Sequence, residues 1–139
     1  MNIIKTKIFI KTLIVISLVH AGPETNFSAD NSHFLADIYQ DSWAVIIGIN
    51  DYKHMPKLNY AVNDAVAIKE MLMSKYNFKE DHIKLILNEE ATKDKITQGF
   101  HQLLQKSKEK DRVVVFYAGH GETYTLPGGG EMGYLVPVD

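Results

Sequence analysis

His120 stands between Gly119 and Gly121, directly after the apolar run Arg112 to Ala118 (RVVVFYA). An imidazole exchanges a proton with a nucleophile near neutral pH, and such help is typically worth about 10²–10⁴ in rate. Glycine on either side removes side-chain bulk, so the ring is expected to stand clear of the strand end and be closely approached. The N–H of Gly121 is likewise unshielded and is placed to donate to a developing oxyanion. The same three residues also fit a turn histidine hydrogen-bonded to nearby backbone. Its placement after a buried strand favours the chemical reading.

Other chemistry finds less support. Gly119-His120-Gly121-Glu122-Thr123 does not fit a G-x-G-x-x-G phosphate cradle. His120 and Glu122 match the H-x-E of zinc deaminases, but the P-C-x-x-C that must accompany it is absent. His33, His54, His82 and His101 lack metal-ligand spacing, so no metal or other cofactor is expected. Asp64 falls near the start of a helical pattern, where the macrodipole favours an acid, and on local grounds it reads as structural.

The elements that would position His120 alternate in period. Trp43 to Ile49 (WAVIIGI) is a continuous apolar, β-branched run, as in a strand buried on both faces. Ala61, Ala65, Ile68 and Leu72 form one stripe of a helix that starts from about Asn59. His82 to Leu87 reads as a second strand. Thr92 is placed to N-cap a second helix with the stripe Ile96, Phe100, Leu103 and Leu104. Arg112 to Ala118 is the third strand, Pro127 to Gly130 a flexible loop, and Gly133 to Val138 a further extended piece. Strand, helix, strand, helix, strand implies right-handed crossovers and a mostly parallel α/β sheet with helices on its faces. In open sheets of this kind, ligands gather outside the carboxyl ends of the strands. That rule nominates Asn50–Asn59 and Gly119–Gly130, opening on one edge.

The 139 residues favour one domain, and the formal charge is −2. Lys5, Lys7 and Lys11 with no acid, then Thr12 to Val19 (TLIVISLV) and Val19-His20-Ala21, read as a secretory signal cut after Ala21. A secreted or periplasmic product follows. Eight such residues are too few for a bilayer core that needs about 20, so no stable membrane anchor is expected. Residues 22–41 are polar and aperiodic, a linker or lead-in, and the domain proper runs from 42 to 139. Cleavage would take the charge to about −5, and nucleic acid is not an expected partner. With no cysteine there is no disulfide framework.

The segments WAVIIGINDYKHMPKLNYAVNDAVAIKEML, LNEEATKDKI, DRVVVFYAGHGE and GYLVPVD, in that order, resemble the large-subunit region of caspase-family cysteine peptidases. The likeness is greatest to the metacaspase-like, prokaryotic branch. The resemblance implies a caspase-like three-layer αβα sandwich. It assigns His120 as the catalytic histidine and Gly121 as an oxyanion donor. It also assigns Asp64, in the N-D pair, to a basic P1 side chain, hence cleavage after arginine or lysine. Asp51 is a weaker pocket candidate. Lys57 falls near the place where animal caspases hold an aspartate-binding arginine.

The family's cysteine nucleophile lies about 50 residues beyond the histidine. Only 19 residues follow His120 here, and none is cysteine or serine. The resemblance therefore implies the N-terminal part of a Cys–His endopeptidase, inactive alone, whose partners are a peptide substrate and the remainder of the catalytic domain. The alternative is a caspase-like interaction module without activity. That alternative leaves Val113–Phe116 as an open apolar edge that a partner or a second copy must cover.

Overall fold

A computed structural model of the chain describes residues 39–139 and the backbone of two short strands before them, β1 (Ile10–Lys11) and β2 (Ile14–Leu18). The cleavage point after Ala21 and most of the 22–41 lead-in lie outside the described residues. β3 (Ser42–Gly48) carries the first β-branched run, and every residue in it but Trp43 is buried. Alternation along β3 sends Ala44 and Ile46 to one face and Val45 and Ile47 to the other.

Each face meets one helix. α1 (Ala61–Tyr76) presses Ala61, Ala65 and Leu72 against Ala44, Ile46, Phe116 and Ala118, with Ile68 half-buried beside them. It comes so near that a Cβ on Gly48 would lie 2.7 Å from the Ala61 carbonyl oxygen and 2.7 Å from the Ala65 Cβ. α1 ends on Asn77 in the left-handed conformation (φ 56°), and the Phe78 N–H closes onto the Leu72 carbonyl at 3.1 Å. α2 (Lys93–Lys106) packs Ile96 and Leu103 with Val45, Ile47, Ile86 and Tyr117 on the other face. Thr92 caps α2 as expected, its Oγ1 accepting from the Lys95 N–H at 3.2 Å. Leu104, expected in that helix's apolar stripe, is 75% exposed. It follows Leu103 by about 100° around the helix, which turns it off the sheet-facing stripe.

β4 (Ile83–Leu87) and β5 (Arg112–Ala118) flank β3, both parallel to it. Helices on both faces of this parallel core make the expected three-layer α/β arrangement. Two features depart from expectation. Half of the Gly119–Gly130 stretch is strand: β6 (His120–Thr125) pairs with β7 (Glu131–Leu135) as an antiparallel hairpin, extended by β1. A glycine-rich stretch without an apolar period reads as loop, yet its backbone pairs because a turn at Leu126–Gly130 closes it, with the Leu126 N–H on the Gly130 carbonyl at 3.0 Å. The outer edge of β5 also carries a neighbour here, since β2 runs antiparallel along Val113–Tyr117.

The tail returns to the core. Val138 is buried and donates its N–H to the Ala91 carbonyl at 3.0 Å, while Asp139 Oδ1 accepts from the Lys93 N–H at 2.9 Å, a second cap on α2.

Candidate active site

β3 and β5 are adjacent and parallel, so the loop after β3 and the hairpin after β5 emerge side by side at their carboxyl ends. The loop after β3 is closed by the Leu58 N–H on the Asn50 carbonyl at 2.9 Å. It is also tied to the strand-end turn after β4, where Asn88 Oδ1 accepts from the N–H groups of Asn50 (2.9 Å) and Asp51 (3.2 Å). Asn50 Oδ1 in turn accepts from the Val62 N–H at 3.3 Å, fixing the start of α1.

That braced loop reaches His120 twice. The imidazole Nε2 lies 2.7 Å from the Pro56 carbonyl oxygen, and the backbone N–H of His120 donates to Tyr52 Oη at 2.8 Å. The Tyr52 ring also lies against the imidazole, centroid to centroid 4.7 Å at a tilt of 56°. A carbonyl only accepts, so Nε2 carries the proton and Nδ1 holds the lone pair of the neutral ring. The two nominated loops thus meet, as the strand-end rule expects.

His120 itself is only 5% exposed, so the ring does not stand clear of the strand end as its glycines suggested. Gly119 serves packing instead. A Cβ there would collide with Tyr52 Oη and lie 2.6 Å from Tyr117 Oη. At Gly121 the nearest described atom to a built Cβ is the Tyr134 carbonyl oxygen at 3.4 Å, an ordinary contact, so no described residue excludes bulk there. Gly121 pairs with Leu135 on β7, next to the hydrogen-bonded pair of His120 and Val136. Ladder alternation then turns its N–H away from β7 and toward β1, where Ile10 is its register partner.

Burial raises the Tyr52 hydroxyl above its ordinary pKa, although its bonds to Tyr117 and to the His120 N–H oppose the shift. Tyr117 is raised further, first by burial and then by the neighbouring Tyr52. Both phenols therefore stay protonated wherever the imidazole works.

The acidic candidates sit on the rim. Asp51 is exposed and pairs with Lys57, Nζ to Oδ1 2.8 Å, a bond that raises the lysine pKa directly and through the carboxylate charge. Asp64 is exposed in the first turn of α1, its N–H on the Tyr60 carbonyl at 2.8 Å. Among the described residues no group of three histidine or acidic side chains could hold a metal ion. Sequence reasoning missed Tyr52, Pro56, Asn88 and Tyr117. Only the asparagines at two strand ends, Asn50 and Asn88, carried a signal of loop bracing.

A sequence profile of the caspase domain matches residues 41–139. The chain belongs to the caspase-domain family. It is 35% identical to metacaspase-2 of Arabidopsis thaliana over 106 residues, covering 69% of this chain and 25% of that protein. It is 32% identical to metacaspase-1 of Eremothecium gossypii, covering 69% and 24%. A third relative, metacaspase-6 of Arabidopsis thaliana, is 30% identical, covering 69% and 29%. This caspase domain thus spans about a quarter of the length of the curated relatives it matches.

Proposed function

We propose that this caspase domain supplies the histidine half of a cysteine endopeptidase. The carrying observation is the bond from His120 Nε2 to the Pro56 carbonyl, which makes Nδ1 the basic nitrogen at the carboxyl end of β5. A thiolate outside these residues attacks the scissile carbonyl once Nδ1 has taken its proton. The same imidazolium then protonates the leaving amine. The Gly121 N–H, which faces Ile10 of β1 in the full chain and is uncovered when residues 1–21 are cut away, steadies the oxyanion.

Asp64 is the group for a basic P1 side chain, giving cleavage after arginine or lysine. Asp51 is the secondary candidate, because its charge is already engaged by Lys57. The partners are a peptide substrate and the cysteine-bearing remainder of the domain. The basic, then apolar start of the chain serves as an export signal cut after Ala21.

The test is to express the whole product of the gene and assay fluorogenic peptides with arginine, lysine or aspartate at P1. Cleavage of the basic peptides that is lost in His120→Ala supports the reading. A gene product with no cysteine, or peptide cleavage by the present chain alone, overturns it. N-terminal sequencing of the exported product checks the cut after Ala21.

A further inference from the structure

One rung of the β6–β7 ladder is incomplete at the candidate base. His120 and Val136 face each other as a hydrogen-bonded pair, and the Val136 N–H donates to the His120 carbonyl at 3.0 Å. An antiparallel pair of this type normally returns the second bond, from the His120 N–H to the Val136 carbonyl. Here the His120 N–H goes to Tyr52 Oη at 2.8 Å, and the Val136 carbonyl takes Tyr117 Oη at 2.7 Å. The two hydroxyls lie 3.1 Å apart and close the gap between them.

The proton count gives this bridge a direction. Tyr52 Oη accepts from His120, so its own proton goes to Tyr117 Oη. The Tyr117 proton then goes to the Val136 carbonyl, with the His120 carbonyl at 3.0 Å as a second acceptor. Every group in the chain from His120 N–H to Val136 carbonyl is thereby satisfied in a buried place, where an orphan costs most. Gly119 is bare of a Cβ because the two hydroxyls occupy that space.

We propose that Tyr52 and Tyr117 are positioning residues for His120, two phenols inserted into a β-ladder rung to hold its backbone and, through Tyr52, its ring face. The proposal rests on the reading of His120 as the base. Without the bridge the histidine Cα is free to shift, and a shift of a few tenths of an ångström lengthens the 2.7 Å bond to Pro56 that selects the tautomer.

The experiment is nitrogen-15 NMR on the full chain, reading the His120 ring tautomer and the exchange rate of its amide. In the unsubstituted chain the ring is expected as the Nε2–H tautomer. Tyr52→Phe should give a mixed tautomer and speed His120 amide exchange about tenfold relative to Ile46 and Ile47 in β3. If Tyr52→Phe does not fold, Tyr117→Phe leaves the Tyr52 oxygen in place without its acceptor and should give the same local signature. An unchanged tautomer, or faster exchange shared equally by Ile46 and Ile47, overturns the positioning role. An Nδ1–H tautomer in the unsubstituted chain overturns the assignment of the base itself, a separate failure.

Discussion

Gly119→Ala tests the packing at the candidate site most directly. The added Cβ would overlap Tyr52 Oη and approach Tyr117 Oη to 2.6 Å and Tyr117 Cζ to 2.8 Å. Neither phenol is a flexible chain end. Both are ring-bound and almost fully buried, and each is held by hydrogen bonds. Overpacking of this kind costs about 1–3 kcal/mol, and separating the hydroxyls leaves a buried donor or acceptor unmade at about 1–3 kcal/mol more. We expect a loss of about 2–6 kcal/mol. At roughly 4–8 °C per kcal/mol for a domain of this size, that lowers Tm by at least about 8 °C.

Gly121→Ala is the matched control. Among the described residues its Cβ would meet only the Tyr134 carbonyl oxygen at 3.4 Å, and the exchange should stay within about 1 kcal/mol. Urea unfolding can be followed through Trp43, the sole tryptophan, whose ring stacks on His82 at 3.7 Å. Equal losses for the two alanine variants would refute the reasoning, because the two glycines would then matter as flexible backbone and not as cleared space.

Three further outcomes are expected. Tyr52 and Tyr117 hold their protons more tightly folded than unfolded, so their contribution is whole below the ordinary phenol value and lost as pH rises past it. Stability should fall above pH ~10 by up to about 1.4 kcal/mol per pH unit for each phenol, and alkaline unfolding of the Tyr52→Phe/Tyr117→Phe double variant should lack that slope. Removing residues 1–21 takes away β2 and uncovers the Val113–Tyr117 edge; sedimentation should show association of residues 22–139 that the full chain lacks, and a clean monomer would count against the edge argument. In the whole gene product, Asp64→Asn should cut kcat/KM for an arginine-P1 peptide about tenfold or more, whereas Asp51→Asn, which only frees Lys57, should change it by less than about threefold.

The legible parts of this protein are those set by long-range period. The three apolar strands and the two helical stripes were readable because burial on both faces, or on one helical face, leaves a pattern of type and spacing. Order placed Asn50–Asn59 and His120 on the same edge of the sheet, and the structure adds that β3 and β5 are neighbours, which brings the two together. The hairpin was not readable. Glu122, Thr123, Tyr124 and Thr125 are all exposed, so no buried face marks β6 as a strand, and its pairing rests on backbone bonds that every sequence can make.

Tyr117 shows why the site was harder to read than the fold. It alternates with Val113 and Val115 on the α2 face of β5, and nothing in the pattern separates it from a core aromatic. Its hydroxyl matters only because β7 returns from the other side with the Val136 carbonyl, 19 residues later. The same holds for Pro56, which acts through its carbonyl alone, an atom every residue possesses. Side-chain identity could therefore nominate His120 but could not supply its partners. The ring's tautomer is set by backbone oxygen and its backbone by side-chain oxygen, so the base is defined by two loops and a hairpin together, and by none of them singly.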